Sequence, residues 1–111
     1  VPQCVLTFEG ADDAYTGAAA DIVYLAEGHD YWSGRGGADF ADGGPGDDIL
    51  TAGAGNDEVY GSAGDDDLYG GTQADFLSGG LGDDHIQGQE DNDVITGGGG
   101  ADYVAAGSGN D

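Results

Sequence analysis

Positive charge is almost missing from this 111-residue sequence: Arg35 is the one Lys or Arg against 23 Asp and Glu, a formal charge of -22 with a pI near 4.1. Nucleic acid and anionic membrane surfaces both require Lys and Arg, so neither is an expected partner. A compact fold carrying this charge repels itself unless cations or a cationic partner neutralise it. Cys4 is the single cysteine, which excludes an internal disulfide. No apolar run approaches the roughly 20 residues of a membrane-spanning helix. With no lysine there is no P-loop, and the acidic turns lack the terminal Glu and flanking helices of an EF-hand. His29 and His85 stand 56 residues apart with no Ser or Cys nucleophile beside them, and read as surface histidines. No catalytic constellation emerges, and the expectation is a protein that is not an enzyme.

What the sequence has in abundance is order. From Thr7 onward it divides into nonads without insertion or deletion. The sixth position is Asp in every copy: Asp12, Asp21, Asp30, Asp39, Asp48, Asp57, Asp66, Asp75, Asp84, Asp93, Asp102 and Asp111. The eighth is apolar throughout, from Ala14, Val23 and Trp32 to Ile95 and Val104. Glycine holds the fourth position except at Ala19, Gln73 and Asp91. An acidic, Gly-rich composition alone favours disorder, and this strict phase argues against it.

Each nonad reads as a turn followed by a strand. Six residues rich in Gly, Asp and Asn favour positive φ, and three β-branched, aliphatic or aromatic residues suit a short strand. Alternation across that strand turns the eighth position inward and the seventh and ninth outward. One such strand cannot bury its apolar side chain alone. Successive nonads are therefore expected to form two facing short-stranded sheets, 18 residues per coil, with a core one residue deep. About six coils at roughly 4.8 Å give a rod on the order of 29 Å long. The segment 1–6 enters as an N-terminal strand, 7–33 is degenerate repeat, and 34–111 is well formed.

Aspartates 18 apart then stack in two columns, one from Asp12 to Asp102 and the other from Asp21 to Asp111. Carboxylates spaced about 5 Å apart repel unless a cation lies between them. Hard oxygen ligands suit calcium, whereas zinc and copper want His or Cys. Each column of six has five gaps, so up to about ten Ca2+ ions nearly cancel the charge of -22. Turns 70–75 and 88–93, where Gln73 and Asp91 replace Gly, are expected to bind weakly.

The pattern GGxGxDxUx, with U apolar, is carried by GGPGDDILT at 43–51 and GGLGDDHIQ at 79–87, and it resembles the repeats-in-toxin (RTX) family. The resemblance spans about residues 7–111. It implies a right-handed parallel β-roll in which the sixth-position Asp and turn carbonyls hold calcium. It also implies a secreted bacterial protein, exported unfolded through low cytosolic calcium and folding outside the cell or at its surface.

Two further features predict association. Outward positions line up an apolar stripe of Ile22, Phe40, Phe76 and Val94, interrupted by Glu58, which suits lateral contact. The chain begins at Val1 and stops within a turn at Asp111, and both ends read as open solenoid edges, which suits head-to-tail self-association into a filament or surface layer. The alternative expectation is a calcium-folding module of a larger secreted toxin, adhesin or hydrolase.

Overall fold

The computed structural model describes residues 2–7 and 9–111; Val1 of the expected entry strand and Phe8 of the first nonad lie outside the described residues. The described chain is all-β. Four three-residue strands come first, β1 Cys4–Leu6, β2 Asp13–Tyr15, β3 Ile22–Tyr24 and β4 Tyr31–Ser33. Eight six-residue strands follow: β5 Phe40–Pro45, β6 Ile49–Ala54, β7 Glu58–Ala63, β8 Asp67–Thr72, β9 Phe76–Leu81, β10 His85–Glu90, β11 Val94–Gly99 and β12 Tyr103–Ser108.

Odd-numbered strands form one six-stranded sheet and even-numbered strands the other, each in sequence order. Every pairing is parallel and offset by 18 residues, as in Phe40 with Glu58 and Ile49 with Asp67. The chain is thus a two-sheet β-solenoid with one coil per two nonads, as the periodicity predicts.

Two details differ from the expectation. From β5 on, pairing continues through the first three positions of the next nonad, so Gly44 pairs with Ser62 and Pro45 with Ala63. The turn shrinks to positions four to six, and the coil broadens into a slab of 36 × 35 × 13 Å rather than a narrow rod. The second difference concerns depth. Position one faces inward as well as position eight, and Gly43, Ala52, Gly61 and Gly70 are all buried. Strand alternation from position eight carries this, since Thr16 and Leu25 are buried at position one as well; from Arg35 on, position two then takes positive φ, mostly as Gly but also as Arg35 (71°), Ser62 (84°) and Gln89 (82°). A left-handed residue within the strand resets the backbone so that extended pairing resumes beyond it.

The core consists of Val23, Trp32, Ala41, Leu50, Val59, Leu68, Leu77 and Ile86, all 0% exposed, with Ala14, Leu25 and Ala52 around them. Trp32 is its largest member and shares the cluster with the small Ala14 and Ala41, so bulk on one strand is matched by its absence nearby. Its indole N–H donates to Thr16 Oγ1 at 3.4 Å. Trp32→Ala is expected to cost about 3–5 kcal/mol, measured as a shift in the denaturant midpoint of the folded chain. A loss below about 1 kcal/mol would mean that this coil is not packed around the indole.

Outside the sheets, side chains stack along the coil axis. Tyr24, Phe40, Tyr60 and Phe76 form a continuous ladder with centroid separations of 5.5, 5.7 and 5.6 Å. The sheet register also places Ile22, Phe40, Glu58, Phe76 and Val94 in one outward column.

Candidate metal centres along the two edges

The turns fall on two edges. The first edge joins odd strands to the following even strands and carries Asp12, Asp30, Asp48, Asp66, Asp84 and Asp102; the second carries Asp21, Asp39, Asp57, Asp75, Asp93 and Asp111. Although turns are normally exposed, nine of these side chains, Asp21 through Asp93, are only 1–3% exposed. They point into the roll, beside the apolar eighth position.

The two carboxylate oxygens have separate fates. Oδ1 accepts the backbone N–H of the aspartate 18 residues earlier: Asp30 N–H donates to Asp48 Oδ1, and Asp39 N–H to Asp57 Oδ1, both at 2.8 Å. The same bond recurs up both edges as far as Asp102 and Asp111, each at 3.0 Å. These bonds confirm the predicted stacking, and they also show a role that sequence reasoning missed, since each carboxylate bolts one coil to the previous one. Position five adds a second column of such bonds, with Asp47 and Asp65 Oδ1 on the first edge and Asn56 and Asn92 Oδ1 on the second each accepting an N–H one coil on. An Asp or Asn recurring at position five is the sequence signal that could have found them.

Oδ2 is left without a partner. The Oδ2 atoms of Asp12, Asp30, Asp39, Asp48, Asp57, Asp66, Asp75, Asp84 and Asp93 are buried and accept no hydrogen bond. Buried, unpaired anionic oxygens are among the costliest groups a fold can hold. Asp21 is the exception, because Gly17 N–H in the irregular turn TGAAAD reaches its Oδ2 at 3.2 Å.

Glycine at position one makes room for six of these oxygens, those of Asp39, Asp48, Asp66, Asp75, Asp84 and Asp93; the nonads of Asp12, Asp30 and Asp57 carry Thr7, Leu25 and Ala52 there. A β-carbon on Gly43 would stand 2.5 Å from Asp48 Oδ2 and 2.9 Å from the Gly61 carbonyl oxygen; on Gly70, 2.6 Å from Asp75 Oδ2 and 2.8 Å from the Gly88 carbonyl oxygen. A carboxylate oxygen and the carbonyl oxygen of the next coil therefore converge on one small space with no hydrogen-bond donor between them. Among the described residues, no three His, Cys, Asp or Glu side chains gather at one point. A cation here must therefore draw on backbone carbonyls as well as carboxylates. Hard oxygen donors of mixed kind, spared the steric bulk of a β-carbon, suit calcium.

Electrostatics agree. Burial raises the Asp66 pKa to about 7, and the neighbouring charges of Asp48, Asp84 and Asp47 push it the same way, against the lowering effect of the Asp48 N–H. Asp75 likewise rises to about 7, and Asp39 and Asp48 to about 6, with burial as the leading cause in each. Asp30, Asp57, Asp84 and Asp93 are shifted upward for the same reason. These carboxylates resist ionising in the fold unless positive charge arrives.

A parallel β-solenoid with buried, unneutralised carboxylates at its turns is a roll suited to binding cations. The family model of the RTX calcium-binding nonapeptide repeat, four copies long, matches residues 6–41, 42–77 and 78–111. The chain belongs to that family, and it is a calcium-binding β-roll module. No curated protein and no solved structure matches it. Among the described residues, no helix is long and apolar enough to cross a membrane.

Proposed function

We propose that this chain is a calcium-gated structural element of an exported protein, kept unfolded where calcium is scarce and folding into a stiff roll outside the cell. The observation that carries this reading is the set of nine buried Oδ2 atoms without a hydrogen bond. In this reading the ligands are the twelve sixth-position aspartates from Asp12 to Asp111, aided by carbonyls of the position-one residues one coil on, and up to about ten ions bind in the gaps between coils. Calcium would supply the positive charge that the sequence lacks. Extracellular calcium modules commonly bind at about 10⁻⁴–10⁻³ M, which separates the inside of a cell from its surroundings.

Titrating calcium into the purified chain while recording far-ultraviolet circular dichroism and Trp32 fluorescence tests this reading. The expected result is a coil-to-β transition with a blue shift of the emission, reversed by chelator, because Trp32 is the only tryptophan and is 0% exposed in the fold. A chain already β-structured in chelator, or disordered in millimolar calcium, would remove calcium as the trigger.

The same reading extends to assembly. The parallel 18-residue register that joins β10 to β12 would also join one roll to the next, stacking loaded rolls head to tail into a filament or surface layer. Lateral contact through Ile22, Phe40, Phe76 and Val94 would bundle such filaments, and electron microscopy of the calcium-loaded samples tests both contacts. The alternative is a calcium-folding module of a larger secreted toxin, adhesin or hydrolase, which relies on the same folding step.

A further inference from the structure

The two edges of the roll are not chemically alike. On the first edge the fourth position is Gly in all six turns; the three exceptions, Ala19, Gln73 and Asp91, all lie on the second. Position five divides as sharply. On the first edge it holds Asp47, Asp65 and Asp83 in consecutive coils, and on the second it holds only Ala and Asn.

These position-five side chains do the same structural work on both edges. Asp47 Oδ1 accepts Asp65 N–H at 2.9 Å, Asp65 Oδ1 accepts Asp83 N–H at 2.8 Å, and Asp83 Oδ1 accepts Ala101 N–H at 2.8 Å. Across the roll, Asn56 Oδ1 accepts Ala74 N–H at 3.2 Å and Asn92 Oδ1 accepts Asn110 N–H at 2.7 Å. An amide serves that bond as well as a carboxylate does, so the negative charge on the first edge is surplus to the structural role. It lies next to Asp48, Asp66 and Asp84, whose carboxylates are 1–2% exposed and whose Oδ2 atoms are unpartnered.

The second edge is also compromised in its turns. Gln73 and Asp91 take φ of 76° and 77°, where a side chain is strained, and Asp91, which accepts Gln73 N–H at 2.9 Å, is the one added turn carboxylate beside Asp75 and Asp93, against three on the first edge. At its start, Asp21 Oδ2 is already occupied by Gly17 N–H.

We propose that the roll binds calcium in two classes, the first edge holding its ions more tightly than the second, with Asp47, Asp65 and Asp83 as the residues that set the difference. The proposal rests on the calcium-gated reading above. A carboxylate about 6 Å from a divalent ion is worth roughly tenfold in affinity in a water-like dielectric, and about threefold once salt near 0.15 M screens it. Calcium withdrawn from the loaded roll therefore leaves the second edge first. Between saturation and collapse lies a half-loaded form, held along one side only.

The test is a count of bound calcium per chain as free calcium is lowered in buffered steps from saturation, with amide NMR following Asp48, Asp66 and Asp84 against Asp57, Asp75 and Asp93. Two classes are expected, separated by about threefold to tenfold, with second-edge amides moving first. Asp47→Asn with Asp65→Asn and Asp83→Asn keeps every N–H acceptor and merges the classes downward. Asn56→Asp with Asn92→Asp and Asn110→Asp merges them upward. A control triple on the sheet faces, Asp13→Asn, Glu58→Gln and Asp67→Asn, makes the same charge change as the first triple and preserves the separation. A single class in the unaltered chain, loss from the first edge first, or an edge triple no different from the control overturns the proposal while leaving calcium binding intact. A chain that binds no calcium at all fails the calcium-gated reading instead.

Discussion

Gly46→Ala is expected to abolish the roll under conditions where the unaltered chain folds fully. Gly46 adopts φ of 132°, and a β-carbon there would fall on the carbonyl oxygen of Gly28, one coil away. Both partners are backbone. Its N–H is committed to Ala63 O at 2.7 Å on the other side, so the turn cannot retreat from Gly28 without parting from the next coil. Strain of this kind, added to a positive φ that alanine rarely adopts, costs more than about 3 kcal/mol. Because folding and calcium binding are coupled, the loss appears as a folded-to-unfolded ratio lowered by more than about a hundredfold at a fixed calcium concentration near the unaltered chain's midpoint, or as no transition at all. Gly99→Ala is the matched control: its φ is not positive, and the nearest atom to a new β-carbon is Leu81 Cδ2 at 3.4 Å. Circular dichroism through a calcium titration should separate the two variants completely. If both behaved alike, the close coil-to-coil approach at position four would be wrong.

Acidification is expected to do part of calcium's work. Asp66 and Asp75 have pKa values near 7 in the fold, and Asp39 and Asp48 near 6, because burial penalises their charged form; the ordinary value is 3.8. The folded state therefore holds protons that the unfolded chain releases. Their contribution to stability is fully present below about pH 3.8, fades as pH rises through 6 to 7, and is gone above that. In chelator, lowering the pH from about 8 to about 5 should increase β-structure and shift Trp32 emission to the blue. In the presence of calcium the sign reverses, since protons compete with the ion for the same oxygens, and the calcium midpoint should rise as pH falls. Proton release on calcium addition, read by titration, is expected near pH 5, where the apo chain is folded and protonated, and not near neutral pH, where the unfolded chain's carboxylates are already ionised. An apo chain equally unfolded at both pH values, with a calcium midpoint indifferent to pH, would mean that these carboxylates are not the buried charges limiting the fold.

Much of this architecture could be read from residue order, because a repeat without insertions fixes phase over the whole chain. Invariant Asp at position six and apolar residues at position eight were enough to specify the 18-residue coil, the inward row from Val23 to Ile86, and the two columns of carboxylates. The extent of the strands was not legible. Gly43, Gly44 and Pro45 have little intrinsic preference for a sheet, and they pair because Gly61, Ser62 and Ala63 lie alongside at a distance set by the coils. Nor did the sequence reveal that position one faces inward. It follows by alternation once the strand runs on past position nine, as buried Thr16 and Leu25 show, and the positive φ at position two, which Arg35, Ser62 and Gln89 adopt without being glycine, is a separate feature that residue type does not announce. The division of labour within each carboxylate is a matter of atoms rather than residue types. No periodicity distinguishes the Oδ1 that ties coil to coil from the Oδ2 left bare.

The 18-residue register gives the chain a parity. A duplication or deletion of two nonads adds or removes one whole coil and leaves every downstream residue on its own side. A change of one nonad is different: it passes every later turn across the roll, so that Asp65 and Asp83 would join the column now held by Asn56, while Asn92 moved to theirs. Strand pairing would survive such a slip, because both sheets use the same pattern of inward and outward positions. The distinction between the sides would be scrambled. Odd and even repeats are thus two alphabets written alternately, and a molecule that depends on the difference between them can change length only in even steps.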